Sequence, residues 1–261
     1  MIQFEELTII LPLYIESDDR YNNVKSVLSY FNTHIKTDLI IHEYIHDKSK
    51  LDFLSTLENL HITHFTEKFK LHHRTYQINQ MLSVIKTQFV MVLDADVIIP
   101  IESFIESYRL LLEDICDFVY PYGSGRYCIQ IPKSFDKTDF ELDYNINKIN
   151  KTNKTYSNVG FCYFAKTRVY RQCGGENENF ISYTPEDVER YERFKKLGKR
   201  VERLNTDVYH FDHLRTELSS EANPYHTNGV NLLNYLRTLD KEQLSLYYKN
   251  ESYIKKYKNF K

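Results

Sequence analysis

The chain has no tryptophan and, among 261 residues, only four cysteines, six prolines and seven glycines. Cys116, Cys128, Cys162 and Cys173 form no C-x-x-C pair and sit in apolar surroundings. That spacing argues against a zinc site or a disulfide framework and for reduced, buried thiols. Neither sign of charge dominates, since Lys+Arg 34 against Asp+Glu 36 leaves −2. Without a global basic field, nucleic acid is not an expected partner. Long apolar runs are missing too. The longest, Leu7–Ile15, is interrupted by Thr8 and Pro12 and falls short of the roughly 18–20 residues that cross a bilayer. The start, Met-Ile-Gln-Phe-Glu-Glu, is acidic where an export signal is basic, so a cytoplasmic location is expected. The N-x-S/T matches at Asn150, Asn153 and Asn250 are then read as chance. No internal repeat or low-complexity linker interrupts the chain.

What is present is ordinary globular chemistry, 42% hydrophobic and 27% charged, with 22 tyrosines and 16 phenylalanines. At 31.4 kDa the chain can bury a full core without staples. Strand and helix signals alternate. Thr8–Tyr14, Asp38–Ile45 and Gln88–Leu93 read as strands. Between them come a helix capped by Ser17 or Asp18, with Tyr21, Val24, Leu28 and Phe31 in helical period, a short helix at Leu51–Leu60 and another at Arg74–Lys86. Further on, Asp117–Tyr122, Val159–Ala165, Arg200–Leu204 and Val208–Phe211 read as strands. Thr167–Gln172, Pro185–Leu197, Val230–Leu236 and Glu242–Tyr248 read as helices, and Gly123–Ser157 as a lid or inserted helix. The expected fold class is α/β, with a mixed, mostly parallel central sheet flanked by helices. In such a sheet ligands gather beyond the carboxyl ends of the strands, where Tyr14–Asp19, Glu43–Asp47 and Asp94–Asp96 fall.

Three clusters can carry chemistry. Asp94-x-Asp96 follows a buried strand, and in an extended segment residues i and i+2 share a side, so both carboxylates could hold one divalent ion. The same spacing fits two solvated aspartates, and a haloacid-type phosphatase also begins D-x-D, although Ile98 stands where that chemistry needs a small hydroxyl or valine. Thr184-Pro185-Glu186-Asp187 reads as a capping box, with acids that complement a helix dipole. Behind it Val188, Tyr191, Phe194 and Leu197 form the expected buried stripe, with Glu189–Arg193 and Glu192–Lys196 as surface pairs. His210 and His213 stand three apart near a strand end and could ligate a metal.

The order LPLY, HHR-TYQINQM, LDADVIIP, GG-ENENF-ISYTPEDVERYERFKKLG and HFDHLR resembles inverting glycosyltransferases of the GT-A fold. It is similar to the β-1,4-galactosyltransferase and N-acetylgalactosaminyltransferase group and to bacterial chondroitin-polymerase-like domains of glycosyltransferase family 2. The likeness runs over Leu7–Arg215. It implies a catalytic domain at 1–215 and a helical extension with a basic tail at 216–261, in one compact unit. It also implies a nucleotide-sugar site at Pro12, Tyr14, Glu16, Glu43, Arg74, Asn79, Asp94, Ala95 and Asp96. Manganese or magnesium would be held by Asp94, Asp96 and His213, or by His210 in its place. Asp187, in the E-D pair with Glu186, would be the acceptor base. The implied reaction moves a hexose or N-acetylhexosamine, of galactose or GalNAc type, from a UDP-sugar to a glycan hydroxyl in surface polysaccharide synthesis. A non-catalytic sugar-nucleotide or glycan-binding module of the same fold is the alternative. Ile181-Ser182-Tyr183-Thr184-Pro185 stands where the galactosyltransferases carry a Trp- and Gly-rich run, and Tyr14 and Glu16 replace arginines of their first loop. Tyr183 and Phe180 could stack on a sugar.

The end, Tyr247–Lys261, sets five lysines (Lys249, Lys255, Lys256, Lys258, Lys261) against Glu251, interleaved with aromatics. Such a tail suits peripheral contact with the inner face of a membrane and a lipid-linked acceptor. A frayed, solvated terminus is the other reading.

Overall fold

The computed structural model describes residues 1–134 and 159–257. Ten strands make two sheets among these residues. They are β1 (Ile2–Tyr14), β2 (Ile35–Ile45), β3 (Leu60–Lys68), β4 (Phe89–Leu93), β5 (Val97–Ile98), β6 (Phe118–Tyr120), β7 (Cys128–Ile131), β8 (Cys162–Lys166), β9 (Val201–Arg203) and β10 (Val208–Phe211). The large sheet runs β3-β2-β1-β4-β8-β6-β9, with only β8 antiparallel to its neighbours. A small sheet, β5-β10-β7, crosses its end.

The central strands owe their place to uninterrupted apolar runs. Every residue of β4 is buried, as are Ile9, Ile10, Leu11 and Leu13 of β1, which suits strands covered on both faces. Helix α1 (Asp18–His34) starts where Ser17 accepts from the Arg20 N–H at 3.3 Å and lays Val24, Val27, Leu28 and Phe31 on the sheet. Helix α2 (Arg74–Val84) buries Ile78, Met81 and Leu82.

Some local readings change. Leu51–Leu60 is one 3-10 turn (Asp52–Thr56), after which β3 begins as an edge strand. The polar residues His61, Thr63 and Thr66 disguise that strand. Helix α3 (Ile101–Leu112), which the sequence reading leaves blank, keeps Ile101, Phe104, Tyr108 and Leu111 in helical period against the core and buries Ser103 and Ser107 beside them. Of Gly123–Ser157, the described part holds a 3-10 turn and β7, and the rest of the expected lid lies outside the described residues.

Helix α4 (Thr167–Gln172) precedes a loop that leads into α5 (Glu186–Lys196). Gly198, at φ +76°, ends α5 in a left-handed conformation that a side chain would strain. The buried face of α5 keeps Phe194 of the expected apolar stripe but is otherwise charged. Arg190 meets Glu176 at 3.2 Å and Arg193 meets Glu189 at 2.9 Å, all four buried. Val188, Tyr191 and Leu197 are only partly buried. Lys196 does not pair with Glu192. It donates to the carbonyls of Arg237 and Leu239 at 2.9 and 2.8 Å, capping α6 (His226–Thr238), while Glu192 takes Arg237.

Helices α7 (Lys241–Asn250) and α8 (Ser252–Lys256) join the same core through Leu244, Tyr248, Tyr253, Ile254 and Tyr257. The tail is therefore not frayed up to Tyr257, and its buried tyrosines are not offered to a membrane. Lys249, Lys255 and Lys256 stay exposed, and Lys258 and Lys261 lie outside the described residues. Among the described residues no helix is long and apolar enough to cross a membrane.

Candidate active site

The parallel strands β1 and β4 end at a crevice of about 340 Å³, within the roughly 300–1,000 Å³ of small-molecule sites. Pro12, Tyr14, Asp94, Ala95, Asp96, Tyr183, Glu186, Asp187, His210, His213 and Arg215 are among its lining residues. Backbone pairing explains the meeting of such distant residues. β10 pairs with β5, placing His210 opposite Val97, and the Phe211 N–H donates to the Asp96 carbonyl at 2.8 Å.

Asp96, His210 and His213 bring one ligand atom each to within 4.8 Å of one another. Nε2 of His213 is 3.3 Å, and Nε2 of His210 3.6 Å, from the Asp96 carboxylate. Each ring is oriented from behind. Nδ1 of His210 donates to Gln130 Oε1 and Nδ1 of His213 to the Leu214 carbonyl, both at 2.9 Å. In the neutral imidazole that leaves an Nε2 lone pair facing the carboxylate. Three acceptors then face one another within 4.8 Å, an arrangement that a cation bound there would reconcile. Burial pushes His213 down, toward the neutral form that such a lone pair requires.

Asp94 does not join this set. The Val97 N–H donates to the Asp94 carbonyl at 3.3 Å, so the D-x-D segment is a turn, and Asp94 is not among the three residues whose ligand atoms gather. Asp94 accepts from Arg74 at 2.5 Å instead. The metal-ligand expectation thus holds its geometry at Asp96 and at both histidines, while Asp94 is committed to a half-buried arginine. A phosphatase reading that uses Asp94 as a free nucleophile meets the same obstacle.

Arg74 also lies 3.9 Å from Glu186. Burial and the adjacent Asp187 charge push the Glu186 carboxyl up to about 8, against the pull of Arg74. The expected capping box is absent. Helix α5 begins at Glu186 without a side-chain cap, and Thr184 Oγ1 donates to Glu186 at 3.3 Å. Asp187 is half-buried, lines the crevice, and makes no hydrogen bond or ion pair among the described residues. Two non-glycine residues of the crevice, Phe161 and Ser182, have φ of +49° and +60°. Such strain persists where surroundings over-determine it, often at functional sites.

Three expected nucleotide contacts do not reach the crevice. Asn79 is fully buried and bonds Glu176 and Glu178, where it braces the loop before α5. Glu43 is buried against His64 at 2.9 Å. Glu16 bonds Arg20 and Thr216. Conversely Arg20, Asn23, His72, Gln77, Gln130 and Arg215 line the crevice unforeseen. His72, Gln77 and Arg215 stand inside the HHR-TYQINQM and HFDHLR segments, and Arg20 left the trace of an i,i+4 relation to Glu16. Burial, with Arg20 and Arg74 nearby, pushes His72 down to about 4. Tyr14 stacks on Phe69 with ring centroids 4.2 Å apart, and Phe180 is packed in the core.

No family model and no curated protein sequence matches the chain. Solved structures do. S. aureus TarS 1-349 superposes with a TM-score of 0.58 at 12% identity, covering 92% of this chain and 68% of that one. The same protein in complex with UDP-GlcNAc gives 0.56 at 11% identity, over 92% of this chain and 69% of that one. GalNAc-T7 with UDP, GalNAc and Mn2+ gives 0.54 at 12% identity, over 80% of this chain and 44% of that one. The fold is that of the GT-A glycosyltransferases. In this GT-A fold the crevice lies where the parallel strands of the sheet end, as the strand order alone requires.

Proposed function

We propose that the chain is a metal-dependent, inverting glycosyltransferase that moves a hexose or N-acetylhexosamine from a UDP-sugar to a glycan hydroxyl. The observation that carries this reading is one crevice with two functions. It is lined both by the acceptors Asp96, His210 and His213, which face one another, and by the unpaired Asp187. The TarS complex with UDP-GlcNAc and GalNAc-T7 with UDP, GalNAc and Mn2+ share the fold and support the donor class.

Asp96, His210 and His213 would hold the cation. Two imidazoles make the set softer than the all-oxygen shell magnesium takes, which favours manganese. Bound there, the cation supplies positive charge to a departing nucleoside diphosphate. Arg20, at the head of α1, adds a fixed charge on the donor side. Tyr14, backed by Phe69, offers a ring to the base. Asp187 accepts the proton of the acceptor hydroxyl as that oxygen attacks the anomeric carbon from the face opposite the diphosphate, inverting configuration. Glu186, protonated near neutrality, keeps a second negative charge away from that base. A GalNAc- or galactose-type donor, which rests on the resemblance, belongs to the same proposal. So does a lipid-linked surface-glycan acceptor at the inner membrane face, which rests on the basic residues of the tail, with the cytoplasmic site read from the start of the sequence and its thiols.

The test is a panel of UDP-sugars with Mn2+, scored by donor hydrolysis without acceptor. One donor should be hydrolysed, and Asp96→Asn should abolish it. No hydrolysis and no UDP binding across the panel would refute the reading.

A further inference from the structure

Tyr183 is the one exposed large hydrophobic residue that lines the crevice among the described residues, and it is 41% exposed. Leaving an aromatic ring in water forgoes burial, and here the backbone is built to do so. The preceding Ser182 is held at φ +60° by its N–H to the His72 carbonyl and its hydroxyl to the Leu218 carbonyl, both at 2.9 Å. The Tyr183 carbonyl takes Asn223 at 2.6 Å and His226 at 3.2 Å. Gly229 lets α6 approach this loop. A Cβ there would meet Thr184 at 2.6 Å. The ring is therefore presented rigidly, on the loop that delivers Asp187.

His226 lies nearly parallel to the Tyr183 ring, with centroids 6.2 Å apart, and the Arg215 guanidinium stands over the ring at 6.0 Å from its centroid, a wider gap than a direct stacking contact. Three arginines line the crevice. Arg20 is paired with Glu16 and Arg74 with Asp94, but Arg215 donates only to the Ser219 carbonyl at 3.4 Å and meets no carboxylate among the described residues. Its charge is the uncompensated one.

We propose that Tyr183 and Arg215 form the acceptor subsite and select a saccharide carrying an anionic group, stacked on the ring with its charge on the guanidinium. This rests on the glycosyltransferase reading above, because the hydroxyl must lie over Asp187. The anion can be a carboxylate or a phosphate, and the experiment separates them.

Protein with Mn2+ and UDP is titrated with chitotetraose, its 6-phosphate and hyaluronan tetrasaccharide. One acidic probe should bind about ten-fold tighter than the neutral one. Arg215→Gln should erase that margin, and Tyr183→Ala should weaken all three probes while Tyr183→Phe restores them. Melting curves confirm that the variants fold. Equal binding of acidic and neutral probes overturns the proposal, as does an Arg215→Gln loss that falls on UDP rather than on the saccharide. UDP binding is read first in the same titration. Its absence refutes the transferase reading, whereas intact UDP binding without acidic preference refutes the subsite alone.

Discussion

Arg74 donates to Oδ1 of Asp94 across 2.5 Å, and its other terminal nitrogen stands 3.9 Å from Glu186. One half-buried cation thus ties the turn after β4 to the head of α5. Removing one partner of a fully buried pair costs about 3–5 kcal/mol, and solvent access to Asp94 lowers that figure here. Arg74→Met should lose stability in urea denaturation, by less than that range. The double variant Arg74→Met with Asp94→Asn should cost less than the two single changes added together. Strict additivity would show that the pair is not coupled.

Different partners separate two otherwise similar carboxylates, Arg74 for Asp94 and two histidines for Asp96. Losing a residue that merely orients a metal ligand typically costs about 10–100-fold in affinity, and losing a ligand should cost at least that. Asp96→Asn, His210→Ala and His213→Ala should each weaken Mn2+ binding in calorimetric titration with UDP present. Gln130→Ala, which frees His210 to turn, should fall within the 10–100-fold range. Asp94→Asn should leave Mn2+ affinity nearly unchanged. A collapse of affinity in Asp94→Asn would return that residue to the metal.

Asp187→Asn should cut transfer by about 10²–10⁴-fold, the usual contribution of a general base, with UDP affinity held in the same titrations. Wild-type turnover in that variant would exclude it as the base.

Glu186 should behave differently. Its folded pKa is near 8, against about 4.3 in an unfolded chain. Between those values the folded protein keeps a proton that the unfolded chain has released, so this residue makes stability fall as pH rises through that window. Glutamine has no such dependence. Glu186→Gln should match wild type near pH 4, gain on it steadily toward pH 8 and hold the gain above. Parallel denaturation profiles from pH 4 to 8 would contradict the buried, protonated acid.

Tyr248 donates to the buried Glu189 at 2.5 Å and accepts from Asn177 at 2.9 Å, fastening α7 to α5. A hydrogen bond to a charged group contributes about 1.5–3 kcal/mol. Tyr248→Phe should lose that amount in thermal or urea unfolding. No loss would mean that the tail packs without this anchor.

The α/β class, β1, β4 and the place of the acids at their ends were legible because those signals are local. Unbroken runs such as Phe89–Leu93 mark covered strands, and Ser17 announces α1 within four residues. Where polar residues alternate along an edge strand, as in β3, the strand was not legible, whereas α3 was legible in its apolar period and was passed over. The reading failed differently on α5. Its period was visible, but Arg190 and Arg193 could be placed inside only once Glu176 and Glu189 were found to neutralise them.

The amino-acid order by itself determined that carboxylates would follow β4 and open α5, and that histidines would close β10, because these depend on neighbours along the chain. Folding decided their duties. Asp96 acquired two imidazoles and Asp94 an arginine, Asn79 and Glu43 were drawn away from the crevice, and Arg215 was left uncompensated at its mouth. The physical reason is that ion pairing and burial depend on distance through space, and the groups that decide them come from strands and helices far apart in the chain.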